Sequence, residues 1–262
     1  MRRASTCLAV FGLALMALTG VASAAPTVTL KAEAVPIEGY PHTGNILGAG
    51  AAVKAEYNIT GTEYGGFPPP LIGVTFYLPG GTKLHTQGFK TCPVSTLEPS
   101  GQGPQACPKG SAAGPVGKVL GIVSFGKERV PEEATLESFY AEGGGLEFFT
   151  AGHSPVSLEI LSTGKYVNLG GSSGGFGPEL VAQVPLVETV PGADDASVEK
   201  ISVKVGSARG PKNPKKAIYY GRLPKKCPKG GFPVKSVLTF AGLGGLTEQS
   251  VTATYKAPCP RS

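Results

Sequence analysis

The sequence predicts an all-β fold: an antiparallel β-sandwich stapled by disulfides and preceded by a cleaved signal peptide. Three observations carry that expectation. Gly and Pro together make up 63 of 262 residues, which breaks helices repeatedly and supplies the turns that strands need. Short apolar or alternating runs recur through the chain, each bounded by Gly or Pro. Charged residues are only 16% while hydrophobic residues are 41%, a balance that builds a core and excludes a charge-solvated disordered polymer.

The N-terminus comes first in chain order. Met1-Arg2-Arg3 is positive, Cys7 to Val21 is apolar, and Ala22-Ser23-Ala24 forms a small-x-small cleavage site before Ala25. This pattern predicts a secretory signal over residues 1–24 and a mature domain over 25–262. The apolar run falls short of the ~20 residues that span a bilayer, and no later stretch is continuously apolar. A secreted or envelope-associated chain without a transmembrane segment is therefore expected. Cleavage removes two arginines and no acid, leaving 22 basic and 18 acidic residues, a net charge of +4.

Strands are expected at Thr27–Lys31, Ala52–Ile59, Leu71–Leu78, Gly117–Val123, Leu146–Phe149, Val156–Leu161, Ile201–Val205, Val234–Phe240 and Gln249–Lys256. Ile201, Val203 and Val205 share one face while Lys200, Ser202 and Lys204 share the other, as in a half-buried antiparallel strand. Pro131–Tyr140 has a helix-like start, with Pro131 followed by two acids, but the aromatic run beyond it and the glycines Gly143–Gly145 read as a strand and its hairpin loop. In Gln183–Val187, Pro185 marks an edge strand or bulge. Long loops are expected at Pro41–Ala51, Gly61–Pro70, Cys92–Pro115, Gly170–Pro178 and Ser207–Lys216, and a subdomain seam is an option near Gly121–Pro131.

After cleavage four cysteines remain, Cys92, Cys107, Cys227 and Cys259, an even number in an exported chain. Of the three pairings, Cys92–Cys107 with Cys227–Cys259 closes the most modest loops. A four-cysteine zinc site lacks the Cys-x2-Cys spacing, so no metal is expected.

Cys107-Pro-Lys-Gly-Ser111 with Gly114, the stretch Leu223-Pro-Lys-Lys-Cys227-Pro-Lys-Gly-Gly231, and the ending Val251-Thr-Ala-Thr-Tyr-Lys-Ala-Pro-Cys259-Pro resemble a group of secreted, functionally uncharacterised proteins of high-GC actinobacteria. In that group Cys-Pro-x-x-Ser segments and a closing Pro-Cys-Pro bracket strand-rich sequence. The resemblance covers the first cysteine loop and the last third of the chain. It implies a bacterial exported β-protein with paired cysteines, and it supplies no catalytic residues.

Catalytic signatures are weak. Gly171-Ser-Ser-Gly-Gly175 fits Gly-x-Ser-x-Gly, but it lies in a glycine-rich loop without a following helix, and His42, His85 and His153 all precede it. The histidines lack metal-ligand spacing. Glu147 and Glu159 are the carboxylates that neighbouring strands could pair for glycoside hydrolysis, and the absence of tryptophan weakens any sugar-stacking site.

The densest signal is basic. Arg209, Lys212, Lys215, Lys216, Arg222, Lys225, Lys226 and Lys229 fall within 21 residues that contain no acid. Such a cluster suits a polyanion, or serves only to solubilise a loop and protect a sheet edge. Tyr219 and Tyr220 lie inside it, but neighbours on a strand face opposite ways, so a nucleic-acid groove is not expected. The function class expected is a non-catalytic envelope or extracellular protein that binds or structures an acidic surface polymer or a partner protein, without a cofactor. The alternative is a secreted carbohydrate-active or other hydrolytic enzyme. The sequon at Asn58 is expected to be unused in a bacterial chain.

Overall fold

A computed structural model describes residues 25–40, 46–125, 127–167, 175–213, 216–242, 245 and 247–260. The expected signal peptide, His42, Lys215 and most of the Gly171–Gly175 motif lie outside these residues.

Among the described residues there are fifteen strands: β1 (Thr27–Val35), β2 (Ala52–Thr60), β3 (Leu71–Pro79), β4 (Lys83–Leu84), β5 (Gly117–Phe125), β6 (Glu128–Tyr140), β7 (Leu146–Gly152) and β8 (Leu158–Val167) in the first part of the chain. They continue with β9 (Phe176–Gln183), β10 (Ser197–Val205), β11 (Ala208–Arg209), β12 (Ile218–Tyr219), β13 (Gly221–Arg222), β14 (Phe232–Phe240) and β15 (Gln249–Ala257). One short helix, α1 (Val94–Leu97), and a 3-10 turn at Pro104–Ala106 lie inside the first disulfide loop.

Eleven strands form one sheet in the order β1-β2-β10-β5-β6-β7-β8-β9-β3-β14-β15, every hydrogen-bonded pair antiparallel. The sheet curls until β1 packs beside β15, so the facing layers of the expected sandwich are halves of one sheet. Because eleven is odd and each neighbour reverses direction, β1 and β15 run the same way at this seam. Pro131–Tyr140 is strand, as the aromatic run indicated, and Gly121–Pro131 forms the β5–β6 hairpin of the same sheet.

Alternation decides what faces inward. In β14, Phe232, Val234, Ser236, Leu238 and Phe240 are all buried, with half-buried residues between them. They join Leu30, Tyr57, Ile59 and Leu71 in the main core, and the Tyr57 hydroxyl donates to Ser236 Oγ at 3.1 Å within it. A bulge between Val198 and Lys200 shifts the parity of β10, so that Val198 and then Ile201, Val203 and Val205 face the interior.

One expectation fails at β9. The sequence placed a loop over Gly170–Pro178 and an edge strand or bulge over Gln183–Val187, whereas the strand runs Phe176–Gln183 and lies between β8 and β3. Three prolines disguise such strands, and each sits where a neighbouring ladder is missing or irregular. Pro131 pairs with β5 beyond the end of β7, Pro233 pairs with β15 beyond the end of β3, and Pro178 lies where the β9–β3 register shifts. A residue without an N–H is harmless there.

The antiparallel order sorts the connections into two ends. The segments 36–51, 80–116, 141–145, 168–175 and 206–231 join strands at one end, the cap end. The tighter or polar connections 61–70, 126–127, 153–157, 184–196 and 241–248 lie at the other. Both disulfides, Cys92–Cys107 and Cys227–Cys259, pair as the loop lengths favoured, with Cα atoms 5.1 and 5.9 Å apart. Each ties down cap-end chain, and Cys92 is buried with Leu97, Phe139 and Phe149.

Candidate functional site

Inward-facing positions of a curled sheet are normally filled by large side chains. Here many are small: Ala32, Ala34, Ala55, Ala134, Ala182 and Ala257 face the interior, with Gly121 and Gly206 beside them. The missing volume is a cavity of about 250 Å³. Its wall is overwhelmingly apolar, built from Val119, Leu136, Phe148, Ile160, Leu180 and Val203 among others.

Its polar groups differ at the two ends. Near the far end, Glu132 is buried with both oxygens engaged: Oε1 accepts the Ser154 N–H at 3.1 Å and Oε2 that of Val156 at 3.3 Å. Thr150 and Ser162 contribute hydroxyls to the wall. The cap end carries aromatic rings. Tyr140 and Tyr220 lie 4.3 Å apart between ring centres, Phe89 is 4.9 and 5.3 Å from them, and Tyr166 is 6.1 Å from Tyr220.

Burial pushes the Tyr140 phenol up to about 12 and raises Tyr166 and Tyr220 further, so all three are donors at any physiological pH. Tyr140 shares a 2.7 Å hydrogen bond with Ser207. Tyr220, only 2% exposed, lines the cavity, with its hydroxyl against that of Tyr166.

Arg222, two residues on, also lines the cavity and is exposed, so the cavity reaches solvent at the cap end. Its guanidinium lies 5.1 Å from the centre of the Tyr219 ring, and its cross-strand neighbour in the β13–β4 pair is the exposed Lys83.

The basic residues read from the sequence all belong to the 206–231 connection at this same end. Arg209, Lys212, Lys216, Arg222, Lys225, Lys226 and Lys229 are exposed, and none of them forms a salt bridge among the described residues. Arg209 lies over Phe89, 5.6 Å from the ring centre. Tyr219 and Tyr220 are both buried, so neither ring joins the basic face. Sequence reasoning had allowed at most one.

Other candidate groups are dispersed. Glu147 pairs with Thr163 and Glu159 with Ala151. Four residues of strand therefore separate the two glutamates, about 13 Å, beyond the roughly 5–9.5 Å of a glycosidase pair. Glu147 is buried on the outward side of β7, and burial pushes its carboxyl up to about 7 against the opposing pull of Lys165. His85 and His153 are exposed on separate loops. Among the described residues no group of three or more metal-ligating side chains gathers.

Sequence reasoning missed the cavity and its tyrosines. The available signal was alanine at inward positions of β1, β2, β6 and β9, which becomes readable only once strand parity is known. Compared with protein-family models, curated proteins and solved structures, the chain matches none.

Proposed function

We propose that this chain is an exported, non-catalytic binding protein that takes a small apolar molecule into the interior of its curled sheet. The observation that supports this reading is the apolar cavity of about 250 Å³ that opens beside Arg222. Empty apolar cavities of ~150 Å³ already take up benzene-sized molecules, and a built wall with few polar groups is the ordinary form of a small-ligand site. A hydrolytic reading needs ionisable groups converging in one cleft. Glu132 is saturated, and Glu147 faces away from the cavity.

The test is titration with a neutral naphthyl fluorophore of the oxidised protein, purified after export. Saturable one-to-one binding is expected, and Ala134→Leu, which fills the interior, removes it. A wild-type protein that gives no saturable signal overturns the proposal.

A second reading rests on the basic cap end. Seven exposed cations on one connection favour attachment to an acidic envelope polymer, in a salt-dependent way. Co-sedimentation with insoluble envelope across a salt series tests it. The wild type should sediment at low salt, and a variant with Lys215, Lys216, Lys225 and Lys226 changed to Ser should stay in solution. If the wild type also stays in solution at every salt concentration, the lysines serve only solubility.

A further inference from the structure

Charge is sorted between the two ends of the sheet. The cap-end connections hold ten described cations, the seven of the 206–231 connection with Lys83, Lys90 and Lys109, against three carboxylates, Glu38, Glu98 and Glu142. Those at the far end hold five carboxylates, Glu63, Glu188, Asp194, Asp195 and Glu248, against one cation, Lys127. The eleven strands of the sheet are balanced, with nine cations and ten carboxylates, and Lys54 pairs with Glu56 at 2.8 Å on their outer face. Nine-residue strands set the two ends up to ~30 Å apart, well beyond the ~8 Å screening length at physiological salt. Each end therefore presents its own field.

The acidic end also carries an apolar anchor. Phe125, 55% exposed, stands at the tip of the β5–β6 hairpin. Its neighbour Ser124 is tied to the acidic 184–196 connection: the Ser124 N–H donates to Thr189 Oγ1 at 3.0 Å, and the Ser124 hydroxyl donates to the Asp194 carbonyl at 3.1 Å. The same connection exposes Leu186. Within it Glu188 and Asp195 face each other across a β-bridge. Burial, and then the charges of Glu188 and Asp194, raise the Asp195 carboxyl above its ordinary range. Among the described residues the only cation that pairs with this cluster is Arg129, 3.8 Å from Asp194.

We propose that copies of this chain stack end on end, the acidic far end of one, with Phe125 as its apolar anchor, seated on the basic 206–231 connection of the next. The contact is heterologous. It leaves a free end of each kind and grows into an open row instead of closing as a dimer. Complementary charge steers and orients such a contact, and an interface made of loop ends belongs to the weak, transient class. The inference is independent of what the cavity holds. It shares with the polymer reading only the cap-end cations, for which a second copy and an acidic polymer compete.

Sedimentation velocity of the oxidised protein at rising concentration tests it, in about 10 mM and about 1 M salt, where the screening lengths are ~30 and ~3 Å. At low salt the mean mass should rise past that of a dimer, and at high salt only monomer should remain. Two variants change exposed side chains alone. One lacks the far-end surface (Phe125→Ser, Glu188→Gln and Glu248→Gln), and the other lacks the cap surface (Lys225→Ser, Lys226→Ser and Lys229→Ser). Each should keep the wild-type thermal midpoint and stay monomeric by itself. Mixed, they should form a heterodimer and stop there, because each retains one live end. The proposal is overturned by a wild type that stays monomeric at low salt, by growth that ends at a dimer, or by association that survives high salt. A variant that still associates alone, or two folded variants that do not pair when mixed, overturns it equally. Retention of a monomeric wild type on envelope would assign the cations to the polymer alone.

Discussion

Tyr140 and Tyr220 lie ring against ring with centres 4.3 Å apart and planes inclined by 34°, and their hydroxyls turn to different partners. That of Tyr140 shares a 2.7 Å hydrogen bond with Ser207, and that of Tyr220 meets the Tyr166 hydroxyl. Removing a bonded hydroxyl loses the bond and strands its partner. Tyr140→Phe is therefore expected to lower unfolding free energy by about 1 kcal/mol. Urea melts check the sign, and an unchanged midpoint would mean that Ser207 finds another partner.

Arg129 is the equivalent keystone at the far end. Its side chain is 11% exposed, its guanidinium lies 4.7 and 4.8 Å from the ring centres of Tyr64 and Phe67, and it donates to the Tyr64 carbonyl at 2.6 Å and to Ser197 Oγ at 2.8 Å. Asp194 stands 3.8 Å away. This one side chain fastens the 61–70 and 184–196 connections to β6 and β10. Arg129→Ala should cost about 3 kcal/mol through lost charge-assisted bonds and stacking. Lysine cannot reproduce the planar fork, so Arg129→Lys should recover less than half of that loss in the same urea melts.

The interior cavity makes a prediction of its own. Ala134 faces it from the middle of β6, where added methyl groups enter empty space. Ala134→Leu should raise stability by about 1 kcal/mol, the usual yield of a cavity-filling change. The shift in urea midpoint at constant slope is the measurement. A loss of stability would show that the side chains are already in contact there and that overpacking wins.

Strand existence was legible because β2, β14, β15 and the part of β10 beyond its bulge alternate, and a period of two leaves little else to do. The disulfide pairing followed from loop length. Two things were hidden. β9 carries Gly177 and Pro178 at its start, and the local signal for a loop is overridden by ladders on both sides. The closing of one sheet into two layers depends on which distant strands pair, such as β2 with β10 and β3 with β14. No local pattern encodes that choice. The basic run was visible, but its neighbours Tyr219 and Tyr220 turned out to be core, because the 206–231 connection dips into the cap end between exposed lysines. The cavity-facing role of Tyr220 therefore had no signature in the linear sequence.

Glu147 gives the fold a pH dependence that a single substitution isolates. The residue is 5% exposed, its Oε2 has no hydrogen-bond partner, and burial lifts its carboxyl from 4.5 to about 7. Since the folded state holds this proton more tightly than the unfolded chain, the contribution is complete below about pH 4.5 and is lost as pH rises through about 7. The loss across that window is of the order of 1–3 kcal/mol, at ~1.4 kcal/mol per pH unit of displacement, moderated by Lys165, which favours the charged form. Glu147→Gln keeps the shape and cannot ionise. The difference in unfolding free energy between wild type and this variant should therefore swing in favour of the variant as pH rises from 4 to 8. Urea melts at pH 4, 6 and 8 measure it directly. A difference that stays constant with pH would mean that Glu147 ionises in the folded protein as readily as in the unfolded chain.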